Sequence, residues 1–276
     1  SRLIGLIFFV ISTYEFLKFL NDPKKIYMWK NIIFLIISSY VSPNFSLFII
    51  FFVYHYLKKV SFKDLIILLL FCFISSIPAF YYIFILDVNF LLAGTPGVSE
   101  LEKVSLSFNF SNKILIIGSI LFFHLIPFLI NKNFFYNFIR QKKKDFLIIG
   151  IFLIINISFF DYAVNFTGGG VFFHLSNLFF KNNYFFYFIS FISLLLISTF
   201  SKNNLNNFLI FILLIISNIQ NTIYHKYYDP LVMILFFTLI NNPLNFEFFK
   251  NRNKVFYVYI FYLIFIFMRI VKNNYV

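Results

Sequence analysis

The sequence predicts an all-α fold, a polytopic bundle of transmembrane helices, and three observations support this prediction. The 276-residue chain is 61% hydrophobic and only 12% charged, whereas soluble domains carry about 25% charged residues. Its mean hydropathy is +0.87, and apolar runs recur along its whole length. A single integral membrane domain over residues 1–276 follows. A soluble enzyme, a disordered tail and a secreted disulfide scaffold are excluded, the last because the chain has one cysteine.

About ten hydrophobic segments make up the predicted bundle. A span needs about 20 mostly apolar residues, and fewer where it is broken or buried in protein. The second and third segments meet at Ser42-Pro43 and the ninth begins at Pro230, so these are predicted to be short or broken helices. The segments are 3–20, 31–41, 44–57, 64–86, 113–130, 146–164, 183–200, 207–222, 230–240 and 255–270.

The positions of the cations predict the orientation. With residue 1 outside and one crossing per segment, most of the 23 Lys and Arg residues fall inside, while the ten acids divide evenly. This is the distribution that the positive-inside rule describes, so the net charge of +13 requires no nucleic acid. The bilayer is the predicted partner, with anionic headgroups against the basic loops. The outer loops are about 87–112, 165–182 and 221–229, and the basic inner loops are about 21–30, 58–63, 131–145 and 241–254.

Acidic residues on the predicted outer side are the candidate catalytic groups. Asp87 and Glu100 lie in the longest polar loop, where Ser99 and Glu102 have the spacing of a capping box and predict a short surface helix. Asp161 lies near the outer end of its segment, where an acid is costly unless it is hydrated or paired. Ordering of the loop explains Glu100 without a catalytic role, and that alternative stays open.

Three consecutive glycines form a second candidate feature. Gly168, Gly169 and Gly170 are followed by His174 on the predicted outer side. Glycine allows a ligand to approach backbone amides closely, so the run and His174 are candidates for binding a phosphate or a sugar. A flexible turn between two helices is the alternative.

The segment 221–230 is the densest polar cluster of the sequence. A histidine, a lysine, tyrosines and a carboxylate precede Pro230, which restarts the helix. At headgroup depth, the histidine is suited to hydrogen-bond a lipid-linked phosphate and the lysine to attract it as a point charge. The alternative is an interfacial anchor of tyrosines and a snorkelling lysine. The predicted binding residues here are His225, Lys226, Tyr227, Tyr228 and Asp229.

The sequence predicts no metal ligands and no cofactor. His55 and His124 lie in or beside apolar runs, far along the chain from a second ligand, and are interpreted as packing or interfacial histidines. There is no HExxH motif, no pair of cysteines, no phosphate-binding loop of the Walker type and no dinucleotide fingerprint. A divalent cation is therefore unsupported.

These features together resemble the membrane-embedded C-type (GT-C) glycosyltransferases. The resemblance rests on the many spans, on helices broken at Ser42-Pro43 and Ser76-Ile77-Pro78, on the long outer loop and on the late basic-aromatic motif at residues 225–230. It implies transfer of a sugar from a polyprenyl-phosphate donor to a lipid, glycan or protein acceptor at the outer or luminal face. It also implies a bacterial plasma membrane or, alternatively, the endoplasmic reticulum.

The resemblance implies roles for individual residues. His225 and Lys226 would bind the phosphate, and Asp229 or Tyr228 would orient them. An acidic side chain would deprotonate the acceptor hydroxyl. In the family this acid lies in the first large outer loop, and no counterpart is visible here. Since the chain opens at Ser1 without a methionine, we expect that loop to lie upstream.

Three other functions stay open. A polysaccharide polymerase or ligase would share the substrate but would need an arginine-rich outer loop. A transporter or flippase would place polar groups at mid-membrane, where His124 and Asn156 are isolated in the sequence. A non-enzymatic assembly subunit would need no outer cluster.

Overall fold

The computed structural model describes residues 2–85, 109–129, 143–164, 168–202, 204–218, 220, 222–241 and 252–275. Within these ranges the regular elements are helices, which confirms the all-α prediction. Short 3-10 turns lie at Pro43–Phe45, Ile126–Phe128 and His225–Tyr227. The α-helices are α1 (Arg2–Asn21), α2 (Lys25–Val41), α3 (Phe48–Tyr56), α4 (Phe62–Phe84), α5 (Phe110–Leu125), α6 (Lys143–Ser158), α7 (Gly170–Phe180), α8 (Tyr184–Ser201), α9 (Leu205–Ile216), α10 (Asp229–Thr238) and α11 (Arg252–Tyr275).

Four of the described helices are long and apolar enough to cross a membrane. They are Leu3–Asn21, Phe62–Tyr82, Phe110–Phe128 and Tyr184–Ser201. All ten predicted hydrophobic segments contain helix, but ten crossings are not confirmed. Helices α9 and α10 have only 12 and 10 residues, and at 1.5 Å per residue even the longer one covers about 18 Å of a hydrocarbon core about 30 Å thick.

Helix α7 was not predicted. It lies within the predicted outer loop 165–182, and its 11 residues are too few for a search based on spanning length. Its start at Gly170 follows Gly169, which has a φ of 106°. This left-handed conformation turns the chain into the helix and is one that glycine adopts without strain.

Helices α1 and α2 are antiparallel and joined by buried polar side chains. Asn31 donates to the Ser12 carbonyl and hydroxyl oxygens at 2.8 Å, and Ser12 donates to the Asn31 carbonyl at 2.9 Å. Ser38, near the end of α2, donates to the carbonyl of Gly5, near the start of α1. The Tyr56 hydroxyl at the end of α3 donates to the Asn31 side chain at 2.7 Å. Such interhelical hydrogen bonds fix the register of helices in lipid, where apolar packing alone is not selective.

Helix α5 is the centre of the remaining bundle. Of its spanning window 72% is buried, compared with 11% for that of α4. Helix α8 runs parallel to it, since Ser190 donates to the Leu115 carbonyl and Ser193 to the Gly118 carbonyl. Helix α6 runs antiparallel to α8, because Lys202, just after α8, pairs with Asp145 at the start of α6.

Candidate functional site

The segment that leads into α10 is held in place by Tyr228. It is only 3% exposed, and its backbone N–H donates to the His225 carbonyl at 2.9 Å. Burial raises the pKa of Tyr228, so the hydroxyl stays protonated. Pro230 occupies the first turn of α10, where its missing N–H costs nothing. Tyr228 was predicted to bind substrate; in the structure it anchors the segment in the core.

Asp229 lies between two histidines from different parts of the chain. The Nε2 atom of His124, on α5, is 3.0 Å from Oδ1 of Asp229. The Nε2 atom of His225, one helical turn before Asp229, is 2.9 Å from the same oxygen. On the other side of the His124 ring, Nδ1 lies 2.7 Å from the hydroxyl of Tyr262 on α11. These four residues, His124, His225, Asp229 and Tyr262, are the Asp229 cluster.

The electrostatics of the cluster favour an ionised Asp229. Burial opposes the charge, but the hydrogen bond with His124 and the close approach of His225 outweigh it and lower the pKa of Asp229 to about 2. A carboxylate with so low a pKa is a weak base at neutral pH. Asp229 is therefore suited to orient the histidines or to bind a cation rather than to remove a proton from an acceptor.

His225 retains bonding capacity. Its 2.9 Å approach to Asp229 lacks the direction of a hydrogen bond, and neither ring nitrogen has a hydrogen-bond partner among the described residues although both are buried. Phe123 and Phe265 pack against the ring at centroid distances of 5.0 and 6.0 Å. Buried polar atoms of this kind are uncommon and costly, so the ring is free to bind a ligand.

Lys226 and Tyr227 follow His225 in the same 3-10 turn. The Lys226 Nζ atom is 4.9 Å from the ring centroid of Tyr224 and 5.8 Å from that of Tyr227. Lys226 is exposed, and no carboxylate among the described residues lies within ion-pair distance of it. The aromatic rings hold the ammonium through cation–π contacts and leave its charge available to an anion.

The glycine run packs against the segment before His225. The Gly169 N–H donates to the Ile223 carbonyl at 2.8 Å, and the Ile223 N–H donates to the Tyr162 hydroxyl at 3.2 Å. All three glycines are buried, and a Cβ on Gly168 would lie 2.6 Å from the Ile223 carbonyl oxygen. The Gly169 amide is thus occupied, so it does not bind a phosphate as the sequence suggested.

Two other predicted site residues have local partners. The Nε2 atom of His174 lies 2.7 Å from the Gly168 carbonyl oxygen, so His174 braces the glycine turn. Gly170, with a φ of 79°, approaches α5 so closely that a Cβ would be 3.0 Å from Ile120. The Gly168–Gly170 run and His174 together position the loop that supports His225.

Asp161 lies at the other end of α5. Its Oδ1 accepts from Asn109 Nδ2 and Asn112 Nδ2, both at 2.7 Å, and an open depression of about 590 Å³ lies beside it. Asn112 and His124 are 12 positions apart on one helix, which corresponds to about 18 Å of axial rise. If α5 crosses the membrane, Asp161 and Asp229 cannot both be at the outer face, and that prediction is wrong for one of them.

The other predicted catalytic acids, Asp87 and Glu100, lie outside the described residues, as does most of the outer loop 87–112. Sequence reasoning missed His124 and Tyr262. The interpretation of His124 as isolated is wrong, because helix packing brings it to Asp229 from a distant position in the chain. The available signal was a histidine within an otherwise apolar span, which is costly in lipid without a partner.

Comparisons with protein-family models, with curated proteins and with solved structures give no match. The functional inference therefore depends on the site itself.

Proposed function

We propose that this chain is a membrane glycosyltransferase that takes a sugar from a polyprenyl-phosphate donor. One observation carries the proposal: the glycine run and the segment that leads into the late basic-aromatic motif of the GT-C resemblance are far apart in sequence, yet they contact each other through Gly169 and Ile223. The contact supports a single site made from both motifs, although only the later motif offers side chains to a ligand.

The described residues suggest a division of roles. Lys226 attracts the donor phosphate, because its charge is exposed and has no described acidic partner. His225 donates a hydrogen bond to a phosphate oxygen as the sugar leaves, and Asp229, 2.9 Å from its Nε2 atom, orients the ring. Groups that stabilise the departing phosphate lower the barrier because charge develops there in the transition state.

Asp161 is not the general base in this proposal. A general base must lie within hydrogen-bond reach of the acceptor hydroxyl, and about 18 Å of helix separates Asp161 from Asp229. Asp87 and Glu100 stay candidates from the sequence alone, and the proposal assigns no general base. The acceptor is a lipid, a glycan or a protein.

The experiment measures sugar release from labelled polyprenyl-phosphate donors by the full chain in its membrane. We expect Lys226→Ala and His225→Ala to abolish transfer, and Lys144→Ala to have no effect. Lys144 is a matched control, because it is also exposed but lies at the start of α6, away from the site. Full activity of both the Lys226 and the His225 variants would refute the assigned roles.

A transporter is the second candidate, and the depth of the Asp229 cluster favours it. His124 lies about 21 Å along α5 from its start at Phe110, and buried ionisable groups inside a helical bundle mark substrate and proton pathways. The test is uptake into proteoliposomes driven by a pH gradient. Intact donor carried across the bilayer would indicate transport, whereas sugar separated from the lipid phosphate would indicate transfer.

A further inference from the structure

Three side chains of the Asp229 cluster present metal-ligand atoms to one another. The atoms are Nε2 of His124, a ring nitrogen of His225 and a carboxylate oxygen of Asp229, and all lie within 4.8 Å of one another. Each belongs to a ligand class that transition metals accept, and two histidines with one carboxylate form a common ligand set. The chain thus brings together a ligand set that sequence spacing does not show.

We propose that His124, His225 and Asp229 bind a divalent transition-metal ion of the Zn²⁺ type. Zinc–ligand bonds of about 2.0–2.2 Å in a tetrahedron put neighbouring ligand atoms about 3.3–3.6 Å apart. The two observed nitrogen–oxygen distances are 3.0 and 2.9 Å, and the ligand atoms of the two histidines lie within 4.8 Å of each other. Small changes in the side-chain torsions of the histidines would therefore be needed to admit the ion.

Tyr262 supplies the outer partner that a metal-binding histidine requires. Metal-bound histidines nearly always hydrogen-bond through their second nitrogen, which fixes the tautomer. In the structure, Nδ1 of His124 lies 2.7 Å from the Tyr262 hydroxyl. When the metal binds, a proton on Nδ1 would donate to Tyr262, and the lone pair of Nε2 would bind the ion in place of the hydrogen bond to Asp229.

His225 provides independent support. Neither of its nitrogens has a hydrogen-bond partner among the described residues, although both are buried. A histidine that only packed in the core would keep two buried nitrogens without hydrogen bonds, which is unfavourable. Coordination by one nitrogen satisfies that atom and reduces this cost.

The site is of the type that retains an open position. Three protein ligands leave one corner of a tetrahedron for water or for an oxygen of a bound anion. His124 is 1% exposed, whereas the Asp229 side chain is 39% exposed, so access is from the Asp229 side. The proposal goes beyond the glycosyltransferase assignment, because metal binding is measured without any transfer reaction.

The experiment is titration of the purified, chelator-treated full chain with Zn²⁺, and with Co²⁺ as a spectroscopic probe. We expect one ion per chain and the visible absorption of tetrahedral Co²⁺. His124→Ala and Asp229→Asn should remove the absorption band and the bound Zn²⁺. Because loss of an outer-shell partner costs about 10–100-fold in affinity, Tyr262→Phe should weaken binding about tenfold while keeping the stoichiometry.

His55→Ala is the matched control. The Nε2 atom of His55 is also buried without a partner, yet His55 lies among aromatic rings of α1 and α3, so its removal should leave binding unchanged. Absence of a bound ion in the wild-type chain would overturn the proposal, even if the cluster variants fail to fold. Equal loss in His55→Ala would also overturn it. Metal binding without sugar transfer would refute the glycosyltransferase proposal and leave the metal-site proposal standing.

Discussion

The backbone N–H of Gly169 donates to the carbonyl of Ile223 at 2.8 Å, and this bond joins two loops that are distant in the sequence. The Tyr162 hydroxyl accepts from the Ile223 N–H and completes the junction. Ile223 is two residues before His225, so the junction fixes the approach of the histidine to Asp229. The glycine run therefore acts on the site through the backbone.

We predict that Gly168→Ala destabilises the protein and lowers its activity. A Cβ at this position would lie 2.5 Å from the Tyr162 hydroxyl and 2.6 Å from the Ile223 carbonyl oxygen. Overpacking of this kind costs about 1–3 kcal/mol. The measurement is thermal unfolding in detergent together with sugar transfer.

Gly150→Ala is the control for this substitution. Nothing lies within 4 Å of a Cβ on Gly150, which is inside α6. Alanine in a helix interior is favoured over glycine by about 0.5–1 kcal/mol, so this variant should be as stable as the wild type or more so. Equal stability of the two variants would show that the junction is not tightly packed.

Sequence patterns predicted the helices well and the site only in part. Long apolar runs without charges favour helix, and each predicted segment contains helix. His225 and Asp229 were identified because they are neighbours in the sequence. His124 and Tyr262 were missed, because the helices that bring them together are joined by contacts that periodicity does not encode. The role of the glycines could not be predicted either, because the sequence does not show whether the amide is free or bonded to Ile223.

We predict that Tyr56→Phe lowers the free energy of unfolding by about 1–3 kcal/mol, the cost of leaving a buried acceptor unsatisfied. The Tyr56 hydroxyl donates to the Asn31 side chain between α1, α2 and α3. Tyr54→Phe is the control, because its hydroxyl accepts only from Lys58 in an exposed contact. Exposed substitutions usually change stability by less than about 0.5 kcal/mol. Detergent-induced unfolding measures both, and similar values would contradict the importance of the Asn31 contacts.

We predict that Asp161→Ala lowers stability but leaves the transfer rate of the folded protein unchanged. The substitution removes two hydrogen bonds from asparagine amides to the carboxylate, and exposure of Asp161 limits the loss to about 1–2 kcal/mol. The rate is retained because Asp161 is distant from Asp229 along α5. The measurements are unfolding midpoint and rate per folded molecule. A lost rate with an unchanged midpoint would restore Asp161 as a catalytic candidate.

The final prediction concerns the membrane face of the Asp229 cluster. Helix α8 begins at Tyr184 and ends beside Asp145 of α6, at the end of the bundle to which the basic loop 131–145 is attached. Because such loops stay inside, the charge rule puts Lys144 and the nearby end of α5 inside and Tyr184 outside. His124 is one helical turn before Phe128 at that end of α5, so the cluster should open inwards, opposite to the outer face that the GT-C resemblance implies.

Cysteine labelling tests this orientation. The native Cys72 is replaced by serine, and a single cysteine is placed at Tyr184 or Lys144, both of which are exposed. A membrane-impermeant maleimide should label Tyr184→Cys in intact cells and Lys144→Cys only after permeabilisation. The cysteine-free chain measures background, and detergent-solubilised protein shows that both positions react. Reversed labelling would place Asp229 towards the outer face, in agreement with the predicted outer loop 221–229. The predicted inner loop 131–145 would then be an exception to the charge rule.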